Sequence, residues 1–525
     1  MIVYRKSTRL VDPQALVDSL CHDQADCQSA AGCQPAVLRA RDILIHFGEI
    51  ESALVDAGST DAESLRAISI QAARYFLKPT DSARARLQKL LIAPPIPNHP
   101  IRVNVPEGYA YYGLFPETYA ASGRKFFDAK LPAEVVCIGI RSIGTSLSAV
   151  VAAALEQRGA RVYSWTARPE GHPFDRQLSV DDDLECAWRA LSHAWFAIVD
   201  EGPGLSGSSF TAVAARLASL GIPDRRIVFF PSWTPSGDRF VSESARARWP
   251  LHEKYCSDPP VIDGCIDISA GKWRSIFYGD ASEYPIVQPQ HEARKFLCSS
   301  AAGTALKKFA GLGEYGEKKF RHARLLAEHG FCPPVLALDN GYLVTEFVPG
   351  QPLSRGHVDR HLLERIAQYI AFRAEHLRAD EVTPVAEFSA MIEFNTGSRM
   401  APPAARSRTC ITDGRMLPHE WIATPTGYLK TDAIDHGDNH FYPGPTDIAW
   451  DLAGAICEFD LNEEECEVLI DNYVHRSADR SIRERLAFFT AAYLAFRIGY
   501  ATMNRFHSQA ESYRNLLERE VTASV

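Results

Sequence analysis

Four short apolar runs separated by helical patterns constrain the fold of this chain more than any other feature of its sequence. The runs are Val135–Ile140, Arg161–Thr166, Trp195–Val199 and Ile227–Phe230. Helical patterns lie between the first two runs, at Ser146–Gln157, and between the last two, at Ser209–Leu220. Strands that are apolar along their whole length and alternate with helices are typical of a parallel sheet buried on both faces. The pattern predicts a Rossmann-like α/β domain over residues 101–288.

The segments on either side of this domain have different patterns. Residues 36–54 and 62–77 carry apolar residues at three-and-four spacing, which predicts a helical N-terminal region over residues 1–100. Prolines between residues 94 and 100 end that region. After about residue 289, a few strand patterns precede a mostly helical tail, which predicts an α+β domain over residues 289–525. Three domains agree with a length of 525 residues.

Charge and cysteine content limit the class of partner. The chain has 56 Lys and Arg against 65 Asp and Glu, a net charge of -9, which argues against a nucleic-acid partner. No apolar stretch reaches the roughly 20 residues of a membrane helix, and no signal-like apolar region follows Met1. Twelve cysteines are too sparse for a disulfide scaffold, and we interpret Cys21, Cys27 and Cys33 as reduced thiols rather than a metal site. We expect a cytoplasmic protein with small-molecule substrates and no membrane partner, and leave a homodimer open.

The strongest chemical signal follows the third apolar run. Asp200 and Glu201 end the run, and a turn of small residues leads directly into a helix. The residues of this turn that we expect to bind phosphate are Leu205, Ser206, Gly207, Ser208 and Ser209. Small residues let backbone N–H groups approach an anion at a helix N-terminus, whereas the two carboxylates suit sugar hydroxyls. At the carboxyl edge of a parallel sheet, this order predicts a sugar-phosphate site.

The segment 194–209 resembles the phosphoribosyl-diphosphate signature of type I phosphoribosyltransferases. The resemblance implies that Asp200 and Glu201 bind the ribose hydroxyls and act in catalysis, and that the serines bind the 5-phosphate. Glu201 stands where the family usually has Asp, and Pro203 is unusual within the turn. An ordinary glycine-rich turn of a Rossmann-like sheet is the alternative interpretation.

Two further loops resemble parts of the same family. Residues 141–146 resemble its diphosphate-binding loop, which implies ligand contacts for Arg141, Ser142 and Gly144 and a screening Mg²⁺. Residues 167–176 resemble its mobile cationic hood, which implies that Arg168 and His172 close over the diphosphate. A surface arginine and a solvated loop are the alternatives. The acceptor of the ribosyl group stays open.

A second resemblance begins near residue 294. The predicted elements are strands at Arg294–Leu297 and Thr304–Phe309, a helix at Glu317–His329, and a hairpin of Val335–Leu338 and Tyr342–Phe347. This order resembles the N-terminal lobe and hinge of aminoglycoside-phosphotransferase-like small-molecule kinases. The resemblance implies that ATP contacts Lys307 or Lys308, of which only one can face the cleft. It pairs that lysine with Glu317, or alternatively Glu314, and places Glu346 beside the nucleotide.

The C-terminal half carries the rest of this resemblance. Residues 413–421, a strand predicted at Tyr428–Ile434 and the segment 447–453 resemble the catalytic region of the same kinases. The resemblance implies that Asp413 is the catalytic base and that His419, with Asp435 or Asp432, binds Mg²⁺. The sequence departs from the family, because its His-Gly-Asp motif at 436–438 follows the strand and the metal-binding Asn is missing. A degenerate lobe used for regulation is the alternative.

Together the two resemblances predict a multifunctional transferase. One centre would transfer 5-phosphoribosyl from phosphoribosyl diphosphate to an unidentified acceptor, and the other would phosphorylate a small molecule with ATP. A nucleotide or phosphoribosyl-diphosphate sensor with a degenerate kinase-like lobe is the non-enzymatic alternative. A salvage phosphoribosyltransferase with an inert C-terminal lobe is a third interpretation.

Overall fold

The computed structural model describes residues 1–26, 34–301, 303–379 and 381–523. Cys27, Cys33 and the side chain of Cys21 lie outside the described residues, so the interpretation of these thiols stays a prediction. The chain divides into two compact units. The N-terminal unit is Thr8–Ile262 with Leu312–Glu314, and the C-terminal unit is Met1–Ser7, Asp263–Gly311 and Tyr315–Val525.

The N-terminal unit contains nine strands and nine α-helices among the described residues. The strands are β1 (Thr8–Val11), β2 (Ile101–Asn104), β3 (Glu134–Ile140), β4 (Arg161–Ala167), β5 (Glu170–His172), β6 (Asp175–Gln177), β7 (Trp195–Val199), β8 (Ile227–Phe230) and β9 (Glu253–Lys254). The helices are α1 (Pro13–Asp26), α2 (Gln34–Asp56), α3 (Ala62–Leu77), α4 (Asp81–Leu91), α5 (Pro116–Lys130), α6 (Gly144–Gln157), α7 (Asp182–Ala190), α8 (Ser208–Ser219) and α9 (Glu243–Arg248).

The core of this unit is the predicted parallel sheet. Its strands lie in the order β4-β3-β7-β8-β9, and every neighbouring pair is parallel. All four predicted runs form strands, each within one residue of its expected bounds. Side chains of β3 and β7 pack with Phe210, Val213 and Leu217 of α8, while α6 contacts β3 and β4. Because parallel strands end together, the loops after β3, β4 and β7 meet at one edge.

The predicted N-terminal helices belong to the same compact unit as this sheet. Residues 36–54 and 62–77 lie within α2 and α3, and both helices contact α6. β1 and β2 were not predicted; they pair antiparallel over four residues. A strand of four residues is too short for apolar alternation to distinguish it from a loop.

The C-terminal unit carries the remaining elements. The strands are β10 (Cys265–Asp267), β11 (Lys295–Ser300), β12 (Gly303–Phe309), β13 (Val335–Asp339), β14 (Tyr342–Glu346), β15 (Gln351–Pro352), β16 (Thr409–Cys410), β17 (Trp421–Thr424), β18 (Gly427–Lys430) and β19 (Thr446–Asp447). The helices are α10 (Arg274–Phe277), α11 (Glu314–Glu328), α12 (Arg360–His376), α13 (Val385–Thr396), α14 (Ala449–Phe459), α15 (Glu463–Ser477), α16 (Ile482–Met503) and α17 (His507–Ala523).

An antiparallel sheet opens this unit, with strand order β10-β11-β12-β14-β13. Asn340 and Gly341 connect β13 to β14, and both have positive φ angles, 48° and 84°, as a two-residue hairpin turn requires. β10 lies within the segment predicted for the α/β domain, yet it pairs with β11, and a disulfide between Cys265 and Cys298 joins the two strands.

The helical part of the unit surrounds an apolar core. Trp421, Trp450 and Phe489 are fully buried in it, together with most of α16. By length and composition α16 is the one helix among the described residues that could cross a membrane, but 78% of its apolar stretch is buried, as in a core helix. β18 ends at Lys430, four residues before the predicted Ile434, because the charged residues that follow turn into a cluster of ion pairs.

Candidate functional site

Strand alternation separates the two candidate lysines of β12. The ammonium of Lys307 lies 2.7 Å from Asp339 Oδ2, a half-exposed carboxylate on β13. The ammonium of Lys308 lies on the opposite face, 2.6 Å from Asp432 Oδ1, and also contacts Asp435. The side chain of Lys308 is only 12% exposed. Of the two lysines, Lys308 therefore belongs to the buried cluster of charges.

Other elements of the C-terminal unit add charges to this cluster. Lys319 of α11 lies 3.6 Å from Asp435, so the helix supplies a cation rather than the expected acid. Lys430, the last residue of β18, donates to Glu420 Oε2 at 2.7 Å and lies 3.3 Å from Asp413. Buried carboxylates and ammonium groups thus alternate through the cluster, as buried charges require.

The ion pairs fix the ionisation of these groups. Burial alone would lower the pKa of Lys308, but Asp432 and Asp435 outweigh it and hold the pKa above its ordinary value. Burial would raise the pKa of Glu420, yet Lys430 and His436 lower it to about 2. The pKa of Asp432 also lies well below its ordinary value, because Lys308 and His436 outweigh burial. These carboxylates are ionised at neutral pH.

Three metal-ligand side chains meet within the cluster. Glu420 ends the 3-10 turn Pro418–Glu420, Asp432 follows β18, and His436 begins the 3-10 turn His436–Asp438. His436 Nε2 lies 3.3 Å from Glu420 Oε1 and 3.7 Å from Asp432 Oδ2. We call Glu420, Asp432 and His436 the ligand trio.

The predicted base, Asp413, is buried rather than open to a substrate. Its Oδ2 accepts a hydrogen bond of 2.5 Å from the Tyr369 hydroxyl, and 1% of the residue is exposed. Asp451, from the segment 447–453, accepts hydrogen bonds from the N–H groups of Asp413 and Gly414 at 2.7 and 3.0 Å. Burial, more than any other cause, raises the pKa of Asp451 to about 6. Asp451 holds the backbone that carries Asp413, whose catalytic role stays a prediction.

The remaining predicted kinase residues lie apart from the ligand trio. His419 stacks on Trp273, with ring centroids 5.8 Å apart, and is replaced in the trio by the next residue, Glu420. Glu317 and Glu346 are exposed, on α11 and at the end of β14. Lys308 pairs with Asp432 and Asp435 in place of Glu317. The alternative acid, Glu314, pairs with Arg9 at 2.7 Å within the N-terminal unit.

Sequence reasoning missed Glu420, Lys319 and Lys430. An acid on the turn after Asp413 was the available signal for Glu420, but the spacing of the kinase motif favoured His419 as the metal ligand. Lys319 and Lys430 had no such signal, because lysines on an amphipathic helix and at a strand end are ordinarily solvated. Only their burial beside acids gives them a role in the cluster.

In the N-terminal unit, Asp200 and Glu201 lie at the carboxyl end of β7 as predicted. Glu201 Oε2 accepts a hydrogen bond from the N–H of Gly108 at 2.9 Å, and the Tyr119 hydroxyl donates to the carbonyl of Asp200 at 2.7 Å. Burial raises the pKa of Asp200 to about 8. Burial and the nearby carboxylates of Glu107 and Asp200 raise the pKa of Glu201 to about 8. Both acids can therefore carry a proton near neutral pH.

The turn after these acids leads into α8. Gly207 has a φ angle of 65°, and a Cβ at this position would lie 2.5 Å from the Phe240 ring, so only glycine fits. The Ser206 and Ser208 hydroxyls lie 3.0 Å apart, and Ser208 donates to the carbonyl of Pro173 at 2.8 Å. Leu205 is 70% exposed, and Ser209 is partly exposed on the first turn of α8.

Pro173 lies at the tip of the β5–β6 hairpin, within the segment 167–176 that the sequence predicts to be a hood. Its hydrogen bond with Ser208 joins the hairpin to the turn before α8. His172 is exposed on β5, and its Nδ1 lies 3.2 Å from the N–H of Phe174. The hairpin therefore reaches the candidate phosphate turn through its backbone, while the imidazole of His172 faces solvent.

An unpredicted acid joins the two arginines of the predicted diphosphate loops. Asp56, the last residue of α2, accepts hydrogen bonds from Arg141 Nε at 2.7 Å and Arg168 Nε at 2.8 Å. Its second oxygen lies 2.5 Å from Arg168 Nη2. Ser142 lies in the turn between β3 and α6, and Gly144 begins α6, where a Cβ would lie 2.5 Å from the carbonyl oxygen of Val199. Asp56 gives the helical N-terminal region a direct place in this site.

No protein-family model matches the chain, and no curated protein sequence matches it. Several solved structures are similar over part of the chain. A choline kinase from Streptococcus pneumoniae is 16% identical, with a TM-score of 0.31, over 44% of this chain and 90% of that one. A choline/ethanolamine kinase family protein from Mesorhizobium loti is 17% identical, with a TM-score of 0.32, over 43% and 84%. A macrolide 2'-phosphotransferase type I is 13% identical, with a TM-score of 0.31, over 43% and 87%. At these identities and TM-scores, the likeness by itself assigns no function to this chain.

Proposed function

We propose that the C-terminal unit is an ATP-dependent small-molecule phosphotransferase. One observation carries the proposal: Lys308 turns to the buried face of β12 and pairs there with Asp432 and Asp435. A strand lysine beside metal-binding carboxylates is the arrangement that kinases use to hold nucleotide phosphates and a divalent cation.

The charges of the cluster suit a change in the partners of Lys308 when nucleotide binds. In the protein alone, Lys308 neutralises Asp432 and Asp435. With nucleotide present, its ammonium would also bind phosphate oxygens, and Asp432 would present its second oxygen, Oδ2, to the cation. A bound Mg²⁺ supplies charge neutralisation on the transferred phosphoryl group. Lys430 keeps Glu420 ionised and oriented through its 2.7 Å hydrogen bond.

A nucleotide-binding assay followed by a transfer assay tests the proposal. We expect ATP with Mg²⁺ to raise the melting temperature of the protein. We also expect γ-phosphate transfer to at least one member of a panel that includes choline, ethanolamine, aminoglycosides and macrolides. Lys308→Met should abolish both effects, whereas Lys307→Met should retain them. Absence of any ATP effect on the wild-type protein would contradict the proposal and favour an inert, regulatory lobe.

We propose a second centre, a phosphoribosyltransferase site, in the N-terminal unit. The supporting observation is that Asp200, Glu201 and the glycine-serine turn before α8 lie at the carboxyl edge of a parallel sheet, where α/β proteins bind ligands. Ribose hydroxyls would donate hydrogen bonds to the two carboxylates, and the turn and α8 N-terminus would bind the 5-phosphate.

The reaction would break the bond between C1 of the ribose and diphosphate and form a bond from C1 to the acceptor. Arg141 and Arg168 would bind the departing diphosphate, whose negative charge grows as the bond breaks. The β5–β6 hairpin, already bonded to Ser208, would exclude water from the developing ribosyl cation.

Diphosphate release from phosphoribosyl diphosphate tests this centre. With a panel of nucleobases and other nitrogen acceptors, the wild-type protein should release diphosphate and Asp200→Asn should not. The exposed Asp238 of the same unit provides a matched control, because Asp238→Asn should retain the activity. Saturable binding without release across the panel would favour the sensor interpretation.

A further inference from the structure

The ligand trio of the C-terminal unit has one oxygen of each carboxylate already occupied. Lys430 donates to Glu420 Oε2 at 2.7 Å, and Lys308 donates to Asp432 Oδ1 at 2.6 Å. The other oxygens, Glu420 Oε1 and Asp432 Oδ2, face the Nε2 atom of His436 at 3.3 and 3.7 Å. The lysines therefore orient both carboxylates, as outer hydrogen bonds orient the ligands of metal sites.

These separations are close to those of ligands on one ion. Protein nitrogen and oxygen atoms lie about 2.0–2.2 Å from a first-row divalent cation, which places neighbouring ligand atoms about 3.0–3.5 Å apart. The three side chains come from two turns and a strand end, and each is at least half-buried. All three ligand atoms lie within 4.8 Å of one another, so a cation between them would draw them closer together.

The imidazole of His436 decides which cations suit the trio. Mg²⁺ prefers an all-oxygen shell and keeps several waters, whereas imidazole nitrogen binds transition metals well. Two carboxylates and one imidazole leave open positions on the ion, which a phosphate oxygen or water can take. The chemistry of the donor atoms therefore favours Mn²⁺ or Zn²⁺ over Mg²⁺.

We propose that Glu420, Asp432 and His436 form a transition-metal site that prefers Mn²⁺ to Mg²⁺. The inference deepens the proposed phosphotransferase function. It rests on that function only for the role of the ion, which would lie beside Lys308 and contact the nucleotide phosphates. The site replaces the predicted ligands His419 and Asp435 with Glu420 and His436.

Metal binding is measured on the full-length protein without nucleotide or substrate. In titrations followed by electron paramagnetic resonance, we expect one Mn²⁺ per chain, with Mg²⁺ competing at least about tenfold more weakly. His436→Gln should weaken Mn²⁺ binding by about tenfold or more and change Mg²⁺ binding much less. His419→Gln is the matched control, because His419 stacks on Trp273 outside the trio and its loss should leave the Mn²⁺ affinity unchanged.

A measurement on the wild-type protein tests the metal site even if a variant fails to fold. Electron spin echo spectra of the Mn²⁺-loaded protein should show coupling to one imidazole nitrogen. No saturable Mn²⁺ binding, no nitrogen coupling, or unchanged affinity in a folded His436→Gln variant would each overturn the proposal. A protein that binds Mn²⁺ with nitrogen coupling but neither binds ATP nor transfers phosphate would contradict the proposed function and support the metal site.

Discussion

The two candidate sites treat buried carboxylates in opposite ways. In the N-terminal unit, burial is the largest influence on the pKa values of Asp200 and Glu201, and the pKa of each rises to about 8. In the C-terminal unit, lysines pair with the acids, and the pKa of Glu420 falls to about 2 although it is buried. Burial favours the neutral acid, and a nearby cation favours the anion. We propose a ligand with hydroxyl groups for the first site and a divalent cation for the second.

The largest effect expected from a single substitution comes from removing the charge compensation in the C-terminal unit. Lys308→Met removes the ammonium shared by Asp432 and Asp435 and leaves buried carboxylates with one partner fewer. We expect a loss of about 3–5 kcal/mol in the free energy of unfolding of that unit, measured by hydrogen exchange of its slowest amides.

Lys307→Met is the matched control for this prediction. Its partner Asp339 is half-exposed, so we expect a change of at most about 1 kcal/mol. Equal effects of the two substitutions would show that strand alternation does not separate the roles of these lysines.

The pH dependence of stability tests the raised pKa values of the two acids in the N-terminal unit. The ordinary pKa values of Asp200 and Glu201 are 3.8 and 4.5, and folding raises both to about 8. The folded state therefore binds more protons than the unfolded state between about pH 4 and pH 8. Over that range the stability of the N-terminal unit should fall as the pH rises, by at most about 1.4 kcal/mol per pH unit for each acid.

The double substitution Asp200→Asn with Glu201→Gln removes the contribution of these two acids to the pH dependence of stability. Denaturation of the wild-type and double-variant proteins from pH 5 to pH 9 should show a shallower slope for the variant, and the difference in slope should shrink as the pH rises past about 8. Parallel pH profiles for the two proteins would contradict the raised pKa values.

A smaller effect is expected at Asp56. Its carboxylate occupies the guanidinium groups of Arg141 and Arg168 and would repel an incoming diphosphate. Asp56→Asn should strengthen the binding of inorganic diphosphate by about tenfold, measured by titration calorimetry, because one competing negative charge is removed. Asp81→Asn, which removes an exposed partner of Arg84, should have no effect. Weaker binding in Asp56→Asn would instead indicate that Asp56 orients the arginines for the ligand.

The smallest effect concerns the β5–β6 hairpin of the N-terminal unit. Ser208→Ala removes the hydroxyl that donates to the carbonyl of Pro173, so we expect the β5–β6 hairpin to lose about 1 kcal/mol of local stability. Faster hydrogen exchange of the hairpin amides would report this loss. Ser219→Ala, at the exposed end of the same helix, is the control. Unchanged exchange in Ser208→Ala would mean that the hydrogen bond does not hold the hairpin.

Local patterns predicted the elements of both units well. The apolar runs gave the bounds of β3, β4, β7 and β8 within one residue, because a strand buried on both faces must be apolar throughout. The predicted hairpin of Val335–Leu338 and Tyr342–Phe347 corresponds to β13 and β14, and its Asn340-Gly341 turn is an equally local feature. β1 and β10 were missed, since neither is apolar throughout and each pairs with a strand distant in sequence.

The sequence by itself determined the parallel sheet and the turn that follows Asp200 and Glu201, and it required that only one of Lys307 and Lys308 face the cleft, because these features depend on neighbours along the chain. The tertiary structure decided which of the two lysines joins the buried charges. It also decided the partners of the charged groups. Lys308 meets Asp432 across 124 residues, and Arg168 meets Asp56 across 112. A charge gives no local sign of the charge that will neutralise it, and only folding removes the water that would otherwise do so.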